Sequence, residues 1–441
     1  MSTVKLAVVG TGGRGRTYAS WALEHPEAAQ VVAVAEPRED VRREFAELHG
    51  IPESHRFSSW EELFDAGRVA DAVLICTQDR LHTEPAIAFA ANGWHVLLEK
   101  PMAPTPEECE QIVAAAHKGG GVFAVCHVLR YTPYTKALKE ILDSGAIGDL
   151  VTVQHLEPVG FWHFAHSYVR GPWRNEAESS SMLLAKSCHD LDWLRHVVGQ
   201  PFTRLSSFGN LRHFRPEGAP EGSTTRCVTC PVEPDCAYSA KRIYTAGLEQ
   251  KTFTVRHVLD VLDEPHLEKA LADGPYGKCV YHTDNDVVDH QVVNMEFAGG
   301  VTGTFTVTAF TPFEDRKTRL FGTKGVIEGD GAEIRVFDFN TEKTVVSKVK
   351  TTGVGAGNGH GGGDAGLVKA FVHAVAENDQ SLVLSGPDES LETHLAVFAA
   401  ERARLEGTVE SLADAPTLSR PALAVLGDGL STRPRRHDTG R

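Results

Sequence analysis

The feature that most constrains the fold of this 441-residue chain is a glycine pattern directly after an apolar segment near its beginning. Residues Val4 to Val9 form that segment, which is typical of a strand buried on both faces of a parallel sheet. Gly10, Gly12 and Gly15 follow with the spacing G-x-G-x-x-G and precede a helical stretch. Such a pattern predicts a tight turn, close approach of the backbone to a pyrophosphate, and helix–strand packing.

A carboxylate at the end of the second apolar segment supports this interpretation. Val31 to Ala35 is predicted as the second strand and ends at Glu36, about 20 residues after the last glycine, where a carboxylate accepts from a ribose 2′-hydroxyl. The pattern predicts an NAD site that also includes Gly13 and Arg14 of the turn. Arg38 leaves NADP open as an alternative, because a guanidinium accommodates a 2′-phosphate.

The order of apolar and helical segments predicts two domains of different architecture. Strand-like segments at 72–76, 96–99 and 122–125 alternate with helices, which predicts an α/β Rossmann domain over residues 1–127. From residue 128 to 410 several strands follow one another without a helix between them, which predicts an α+β domain with a large, mostly antiparallel open sheet. The expected strands are 150–157, 202–211, 289–297, 301–309, 319–329 and 333–350, and the expected late helices are 364–377 and 388–405. Residues 411–441 are expected to form a surface tail.

Charge and hydropathy restrict the partners and the compartment. The formal net charge of −15 disfavours nucleic acid and anionic membrane surfaces as partners. No apolar run reaches the ~18 residues that a membrane helix needs, and the first residues show no signal-peptide pattern. We therefore expect a cytoplasmic protein whose eight cysteines are thiols or metal ligands.

A cysteine cluster lies in a Pro-rich part of a segment at about 212–282. Cys227, Cys230 and Cys236 have spacing typical of a zinc knuckle, with Cys279 as the best fourth ligand and His282 as the alternative. A site of four thiolates would hold structural zinc, while free thiols and a disulfide remain alternatives. The other cysteines occur singly in apolar segments and are expected in the core: Cys76, Cys109, Cys126 and Cys188.

Further motifs identify a family resemblance. Glu99-Lys100-Pro101 ends a buried strand, and with the glycine loop and the two-domain plan it resembles the glucose–fructose oxidoreductase, inositol dehydrogenase and MocA (Gfo/Idh/MocA) family over about residues 4–410. The resemblance implies that Lys100 lies beside the nicotinamide and the reacting hydroxyl and relays its proton. A surface lysine paired with Glu99 is the alternative. Other residues placed at the cofactor by this resemblance are Thr77, His82 and Glu99.

The family's second motif, Asp-x-Gly-x-His, is altered in this chain. His189 is retained as the acid/base that the resemblance implies, but Ala185 and Ser187 replace the aspartate and glycine. The site is therefore either degenerate or part of a branch with different chemistry. Lys186 adds a positive charge beside His189 and favours the second interpretation.

The segment 161–174 is predicted to be a sugar-binding loop. Its aromatic rings can stack on pyranose rings and its arginines can hold a carboxylate or sulfonate, although a core segment with solvated arginines is the alternative. Tyr168 is the candidate for a base that removes a proton from C2 of the sugar. The predicted substrate residues are Arg130, Trp162, His166, Arg170, Trp173, Arg174, Lys186, Asp190 and His360. His360 begins a His-Gly-Gly loop that precedes a helix. Asp364, four residues after His360, could be the N-cap of that helix, which would explain the loop without a role in substrate binding.

These residues predict an NAD-dependent enzyme that takes a hydride from a sugar carbon. Gly12 to Gly15, the altered His189 motif and the His-Gly-Gly loop resemble the NAD-dependent glycosidase branch of the family. This resemblance favours a redox-neutral glycosidase cycle on an anionic hexoside: oxidation at C3, elimination, hydration and return of the hydride. A sugar or polyol dehydrogenase is the main alternative, and a non-catalytic sugar or NAD sensor is a lesser one. The resemblance also implies a homodimer or homotetramer that pairs through the exposed face of the second sheet.

Overall fold

A six-stranded parallel sheet forms the first part of the computed structural model, which describes residues 3–351 and 360–412. Its strand order is β3-β2-β1-β4-β5-β6, the doubly wound Rossmann order, which confirms the predicted fold. The strands are β1 (Val4–Val9), β2 (Ala29–Ala35), β3 (Arg56–Phe57), β4 (Ala72–Ile75), β5 (His95–Leu98) and β6 (Phe123–Val125). The helices are α1 (Gly13–Glu24), α2 (Glu39–His49), α3 (Trp60–Asp65), α4 (Thr83–Ala91) and α5 (Pro106–Gly119). The carboxyl ends of β1, β4 and β5 meet at the switch point, where ligands bind in such sheets.

A nine-stranded mixed sheet forms the second part, in the order β14-β13-β12-β11-β7-β10-β9-β8-β15. Only β7 and β10 pair in parallel, so the prediction of a mostly antiparallel sheet is confirmed. The strands are β7 (Leu150–Pro158), β8 (Phe202–Asn210), β9 (His290–Phe297), β10 (Thr302–Thr308), β11 (Lys317–Gly322), β12 (Gly325–Gly329), β13 (Glu333–Asp338), β14 (Lys343–Lys348) and β15 (Glu410–Ser411). The strand-like segments 319–329 and 333–350 each contain two strands, which pair antiparallel and are joined by a short turn.

Several helices of the second part begin at a capping side chain. In α6, Thr132 accepts from the Thr135 amide at 3.0 Å and proline occupies the first turn. The α-helices are α6 (Pro133–Asp143), α7 (Phe161–Phe164), α8 (Met182–Ala185), α9 (Cys188–Val198), α10 (Ala240–Gln250), α11 (Phe253–Val258), α12 (Glu264–Asp273), α13 (Gly363–Glu377) and α14 (Pro387–Glu406). None of the described helices is both long and apolar enough to cross a bilayer.

The segment 161–174 is not the loop that its sequence predicts. Residues Phe161–Phe164 form α7, and Ala165–Arg170 continue it as a π-helix, a rare form that is frequent at functional sites. The widened turn buries the side chains of residues 164–170, so most of this segment is unavailable to a ligand.

Helix α13 packs against the parallel sheet although it is distant from that sheet in sequence. Its side chains Leu367, Val368 and Phe371 share one buried apolar cluster with Leu6 and Val8 of β1. This packing brings residues 360–364 next to the glycine loop. The domain boundaries themselves stay a prediction, as does the tail, since residues 413–441 lie outside the described residues.

Candidate functional site

The glycine loop has the shape that a pyrophosphate requires. Gly10 has φ +84°, and a Cβ there would lie 2.8 Å from the Cys76 carbonyl oxygen. A Cβ on Gly15 would lie 2.1 Å from the Gly10 carbonyl oxygen, whereas one on Gly12 would meet nothing within 4 Å. The first turn of α1 contains no acidic residue and no side-chain cap. Its amide groups and the open space before Gly12 therefore fit a dinucleotide pyrophosphate.

Glu36 stands at the end of β2 as an ionised acceptor. Its carboxylate accepts from the Thr11 amide at 3.0 Å and from Arg38 Nε at 2.7 Å. Burial acts to raise the pKa of Glu36, but the hydrogen bonds from Arg38 and Thr11 outweigh it and lower the pKa to about 2. A fixed negative charge there suits a ribose 2′-hydroxyl and repels a 2′-phosphate.

Arg14 connects the glycine loop to the end of β5 and to α13. Its Nε lies 2.8 Å from Glu99 Oε1, and its Nη2 lies 2.6 Å from Asp364 Oδ1. Asp364 also accepts from His360 Nδ1 at 3.0 Å. Arg14 and Glu99 were predicted to contact the cofactor, whereas the structure pairs them with each other. Asp364 is not an N-cap either, because Gly362 holds that position and the carboxylate binds two side chains instead.

Lys100 and His189 lie close together at the carboxyl-terminal edge of the parallel sheet. Lys100 Nζ donates to the Ala185 carbonyl oxygen at 2.6 Å, which joins the end of β5 to the segment before α9. His189 is buried and its Nδ1 has no hydrogen-bond partner among the described residues. Burial and the positive charge of Lys100 hold the pKa of His189 well below its usual range. A neutral imidazole beside an ammonium group can accept a proton from a bound hydroxyl.

His82 and Thr77 stabilise the backbone next to Lys100 through hydrogen bonds. His82 Nδ1 lies 2.7 Å from the Pro101 carbonyl oxygen, and its Nε2 lies 3.1 Å from the Thr77 carbonyl oxygen. Thr77 Oγ1 in turn donates to the Leu81 carbonyl oxygen at 3.1 Å. These contacts fix the turn after β4 against the residues that follow Lys100, so His82 positions the site.

A cluster of charged side chains in the second part of the structure borders His189. Lys186 Nζ lies 3.0 Å from Glu157 Oε1, and Arg316 Nη2 lies 2.9 Å from Glu157 Oε2. Arg316 Nε also lies 2.5 Å from Asp190 Oδ1, and His155 Nε2 lies 3.2 Å from the same oxygen. Although burial opposes it, Arg316 holds the pKa of Asp190 well below its usual range.

The sequence did not identify Arg316. This residue stands just before β11 in no recognisable motif, and only the pairing of β11 with β7 brings it next to Glu157. Together with His360 it lines a cavity whose walls include Tyr134 and Trp193. The adjacent Asp315 is charged as well, but an Asp-Arg pair by itself does not indicate a functional residue.

The predicted cations of an anion pocket have separate partners in the structure. Arg174 pairs with Asp284 at 2.9 Å, and the fully buried Arg130 pairs with Asp192 at 2.7 Å. Arg170 donates to the carbonyl oxygens of residues 278 and 238, both at 2.8 Å. The structure therefore does not bring together Arg170, Arg174 and Lys186, whose charges suggested an anionic substrate, because only Lys186 contacts the group around Glu157.

The aromatic side chains of segment 161–174 divide into two sets. Trp162 is partly exposed, and its ring centroid lies 4.9 Å from that of Phe313. His166 is buried and hydrogen-bonds the Tyr244 hydroxyl at 2.9 Å. Tyr168 is also buried, between Phe164 and Trp173, and burial raises its pKa well above the usual range. A phenol that stays protonated is a poor base, so the geometry gives Tyr168 no role at C2.

The four clustered cysteines line one small cavity together with Arg170. An isolated bridge between Arg226 and Lys278 sets Cys227 beside Cys279. Among residues 3–351 and 360–412, however, no group of three or more His, Cys, Asp or Glu side chains is arranged to hold a metal ion. The described geometry thus does not support the zinc prediction. The other four cysteines are buried, as predicted.

Two family models match successive parts of this chain. The model described as an oxidoreductase family with an NAD-binding Rossmann fold matches residues 4–127. The model described as a GFO/IDH/MocA C-terminal domain matches residues 135–237. The chain belongs to the Gfo/Idh/MocA family. It is therefore an NAD-dependent enzyme, and Gly10 to Gly15 with Glu36 form the part of its site that fits the cofactor.

Similar proteins include characterised and uncharacterised members of this family. The putative oxidoreductase YteT of Bacillus subtilis is 24% identical over 74% of this chain and 77% of its own length. The 2,7-anhydro-N-acetylneuraminate hydratase of Escherichia coli is 29% identical over 48% of this chain and 55% of its own length. A solved oxidoreductase domain protein from Kribbella flavida superimposes with a TM-score of 0.68 at 19% identity, covering 93% of this chain and 99% of its own.

Proposed function

We propose that this protein oxidises one carbon of a sugar derivative, cleaves a C–O bond of the oxidised sugar, and then reduces the product again. The observation that carries the proposal is the neutral, buried imidazole of His189 beside the ammonium group of Lys100, at the carboxyl end of β5. A hydroxyl placed between them would lose its proton while its carbon faces the nicotinamide side of the dinucleotide crevice.

The reaction needs a group that accepts and returns a hydride, and bases that remove protons from O3 and C2 and give them back. NAD held by Gly10 to Gly15 and Glu36 would supply the hydride chemistry at C3. His189 takes the proton of the C3 hydroxyl while Lys100 donates a hydrogen bond to the same oxygen, so that a ketone forms and the proton at C2 becomes acidic. When a base removes the C2 proton, the bond from C1 to the alcohol oxygen breaks and that oxygen takes up a proton. Water then adds to the unsaturated ketone, placing a hydroxyl at C1 and a proton at C2. After the hydride returns to C3, substrate oxidation and reduction balance and no cofactor is consumed.

We propose His360 as the base at C2 in place of Tyr168. Its Nδ1 is held by Asp364 at 3.0 Å, an orientation that leaves Nε2 able to accept a proton. The His360 and His189 ring centroids lie 5.9 Å apart, which suits bases acting on neighbouring carbons of one ring. Burial lowers the pKa of His360, so its imidazole is neutral at pH 7.

We propose an anionic hexoside as the substrate. Lys186 and Arg316 both pair with Glu157, at 3.0 Å and 2.9 Å, and their side chains are 19% and 15% exposed. A substrate carboxylate or sulfonate could share these cations with Glu157. The name of the E. coli relative, a hydratase of 2,7-anhydro-N-acetylneuraminate, describes a carboxylated sugar and supports this class of substrate.

The direct test is incubation with NAD and aryl glycosides that carry neutral, carboxylated or sulfonated sugars. We expect phenol release without accumulation of NADH, fastest with an anionic sugar, and loss of this activity in Lys100→Ala. The matched control Lys118→Ala changes a lysine in the last turn of α5 and should leave the rate unchanged. Accumulation of NADH from free sugars without phenol release would identify a dehydrogenase instead and overturn the proposal.

We also propose, separately from the reaction, that the cysteine cluster binds zinc. Arg170 is a buried cation that no described carboxylate contacts, its Nη1 has no hydrogen-bond partner, and its Nη2 lies 3.6 Å from Cys227 Sγ. Zinc-bound thiolates would supply the missing negative charge, provided that the turns at 227–236 draw together around the ion. About one zinc per chain, lost in Cys230→Ser, is expected by metal analysis. Its absence from the purified wild type would refute this proposal.

A further inference from the structure

Helix α11 of the segment 212–282 lies in front of the glycine loop. A Cβ placed on Gly13 would lie 3.9 Å from His257 Nε2, whereas nothing lies within 4 Å of a Cβ on Gly12. The imidazole of His257 therefore stands at the edge of the open space before the first turn of α1. In a Rossmann fold this space receives the pyrophosphate of the dinucleotide.

The same segment also approaches the adenosine end of the site. The pKa of Arg38 is raised mainly by its hydrogen bond to Glu36, and the carboxylate of Asp260 adds a smaller electrostatic contribution. Asp260 follows α11 by two residues and so lies near Arg38, beside the acid that marks the ribose position. Residues 253–260 thus border both the pyrophosphate end and the ribose end of the site.

The contacts of α11 hold its histidine in a defined orientation. Phe253, at the start of α11, packs against Trp162 and His163, with ring centroids 6.2 Å and 5.4 Å away. His257 Nδ1 donates to the Phe253 carbonyl oxygen at 2.8 Å, which directs Nε2 away from the helix. His257 is exposed, so its Nε2 is available to a ligand. A protonated imidazole at this position would donate its Nε2–H to a phosphate oxygen.

We propose that α11 closes over the bound dinucleotide, with His257 contacting its pyrophosphate, and that this cover retains NAD through successive turnovers. The inference rests on NAD binding and deepens the proposed redox-neutral reaction. In such a reaction the cofactor is reduced and reoxidised within each turnover and has no need to leave. A cover that slows release would be a disadvantage to a dehydrogenase that exchanges NADH after every turnover.

The test measures the dissociation rate of NADH in the absence of any sugar. The full-length protein is loaded with NADH and mixed with excess NAD, and the loss of energy transfer from protein tryptophan to bound NADH is followed. We expect His257→Ala to accelerate dissociation roughly tenfold, as for loss of one hydrogen bond to a charged group. We expect His257→Gln, which keeps a donor, to lie between the alanine variant and the wild type.

His266→Ala is the matched control. His266 lies on the exposed face of α12 in the same segment and bonds only Asp263 among the described residues. This variant should dissociate NADH at the wild-type rate. A His257→Ala rate within twofold of the wild type, or an equal acceleration in both alanine variants, would overturn the proposal. Since no sugar is present, the result is independent of whether the proposed glycosidase reaction is correct.

Discussion

At the scale of single residues, the site depends on pairs that hold each other in one charge state. Lys100 donates to a carbonyl oxygen, and His189 is held neutral by its burial and by the positive charge of Lys100. Glu36 is kept ionised by Arg38 and the Thr11 amide. In the proposed function, His189 is the neutral base at the reacting carbon and Glu36 is the fixed anion at the ribose.

The pH dependence of the reaction tests this charge assignment. Because the pKa of His189 lies well below its ordinary value of 6.5, its basic form persists as the pH falls through that value. We expect kcat/KM to stay nearly constant between about pH 7 and pH 5.5, where an unperturbed histidine would already be mostly protonated. An acid limb centred near pH 6.5, measured with the best glycoside and absent in a pH-stability control, would contradict the assignment.

Sequence reasoning found the residues that belong to local motifs and missed those brought in by distant pairing. Lys100 and His189 stand in short motifs that resemble the family, and the structure places them together. Arg316 and the carboxylate of Asp364 reach the site only through β11–β7 pairing and the packing of α13. Arg170 was assigned to the sugar because its charge is visible in the sequence, whereas its burial is not.

At the scale of secondary-structure elements, the switch point of the parallel sheet determines where the chemistry lies. Local signals predicted β1, α13 and α14 well, since apolar runs and helix start and stop signals act within a few residues. The π-helix after α7 was not predictable from such signals, because it depends on how segment 161–174 packs against the inserted helices. The division of the two late segments into hairpins was not predicted, because the turns inside them are only two and four residues long.

A pair of glycine variants separates the folding role of the loop from its binding role. Gly15→Ala places a Cβ 2.1 Å from the Gly10 carbonyl oxygen, so α1 must shift and the free energy of unfolding should fall by about 1–3 kcal/mol. Gly12→Ala meets open space and should leave unfolding unchanged while weakening NADH binding roughly tenfold. Urea denaturation and fluorescence titration measure the two effects. Unchanged NADH affinity in Gly12→Ala would refute the placement of the pyrophosphate.

The link between α1 and α13 makes a second prediction at this scale. Asp364→Asn removes the negative charge of one of the two carboxylates that pair with Arg14, and with it the charge of the acceptor for His360. Because Arg14 keeps Glu99 and is partly exposed, we expect the free energy of unfolding to fall by roughly 1–2 kcal/mol. Asp284→Asn, in the more exposed pair with Arg174, is the control and should cost less than about 1 kcal/mol. Equal losses in urea denaturation would show that the buried link does not stabilise the fold.

At the scale of the whole molecule, the parallel sheet supplies the cofactor crevice, and the second sheet supplies the charged wall and an exposed outer surface. Apolar side chains remain exposed on several strands of that second sheet, among them Val151, Phe208, Phe337 and Val345. An exposed apolar surface of this kind is typical of a protein–protein contact. Its position agrees with the pairing that the family resemblance implies, so the homo-oligomer stays our prediction.

Light scattering after gel filtration tests the oligomer. We expect a mass of two or four chains for the wild type, and a lower mass for Phe208→Glu with Val345→Glu because the charges oppose association. Leu48→Glu, an equally exposed leucine on α2 of the parallel-sheet part, should leave the mass unchanged. A wild-type mass of one chain at micromolar concentration would refute the prediction.

The measurement that tests the central claim most directly is the position of deuterium in sugar released from an aryl glycoside in D2O. If the bond breaks by oxidation at C3, elimination and hydration, NMR will show deuterium at C2 and none at C3. The C2 proton exchanges with solvent in this pathway, while the C3 hydrogen returns from the bound cofactor. A released sugar without carbon-bound deuterium would mean direct hydrolysis and contradict the account.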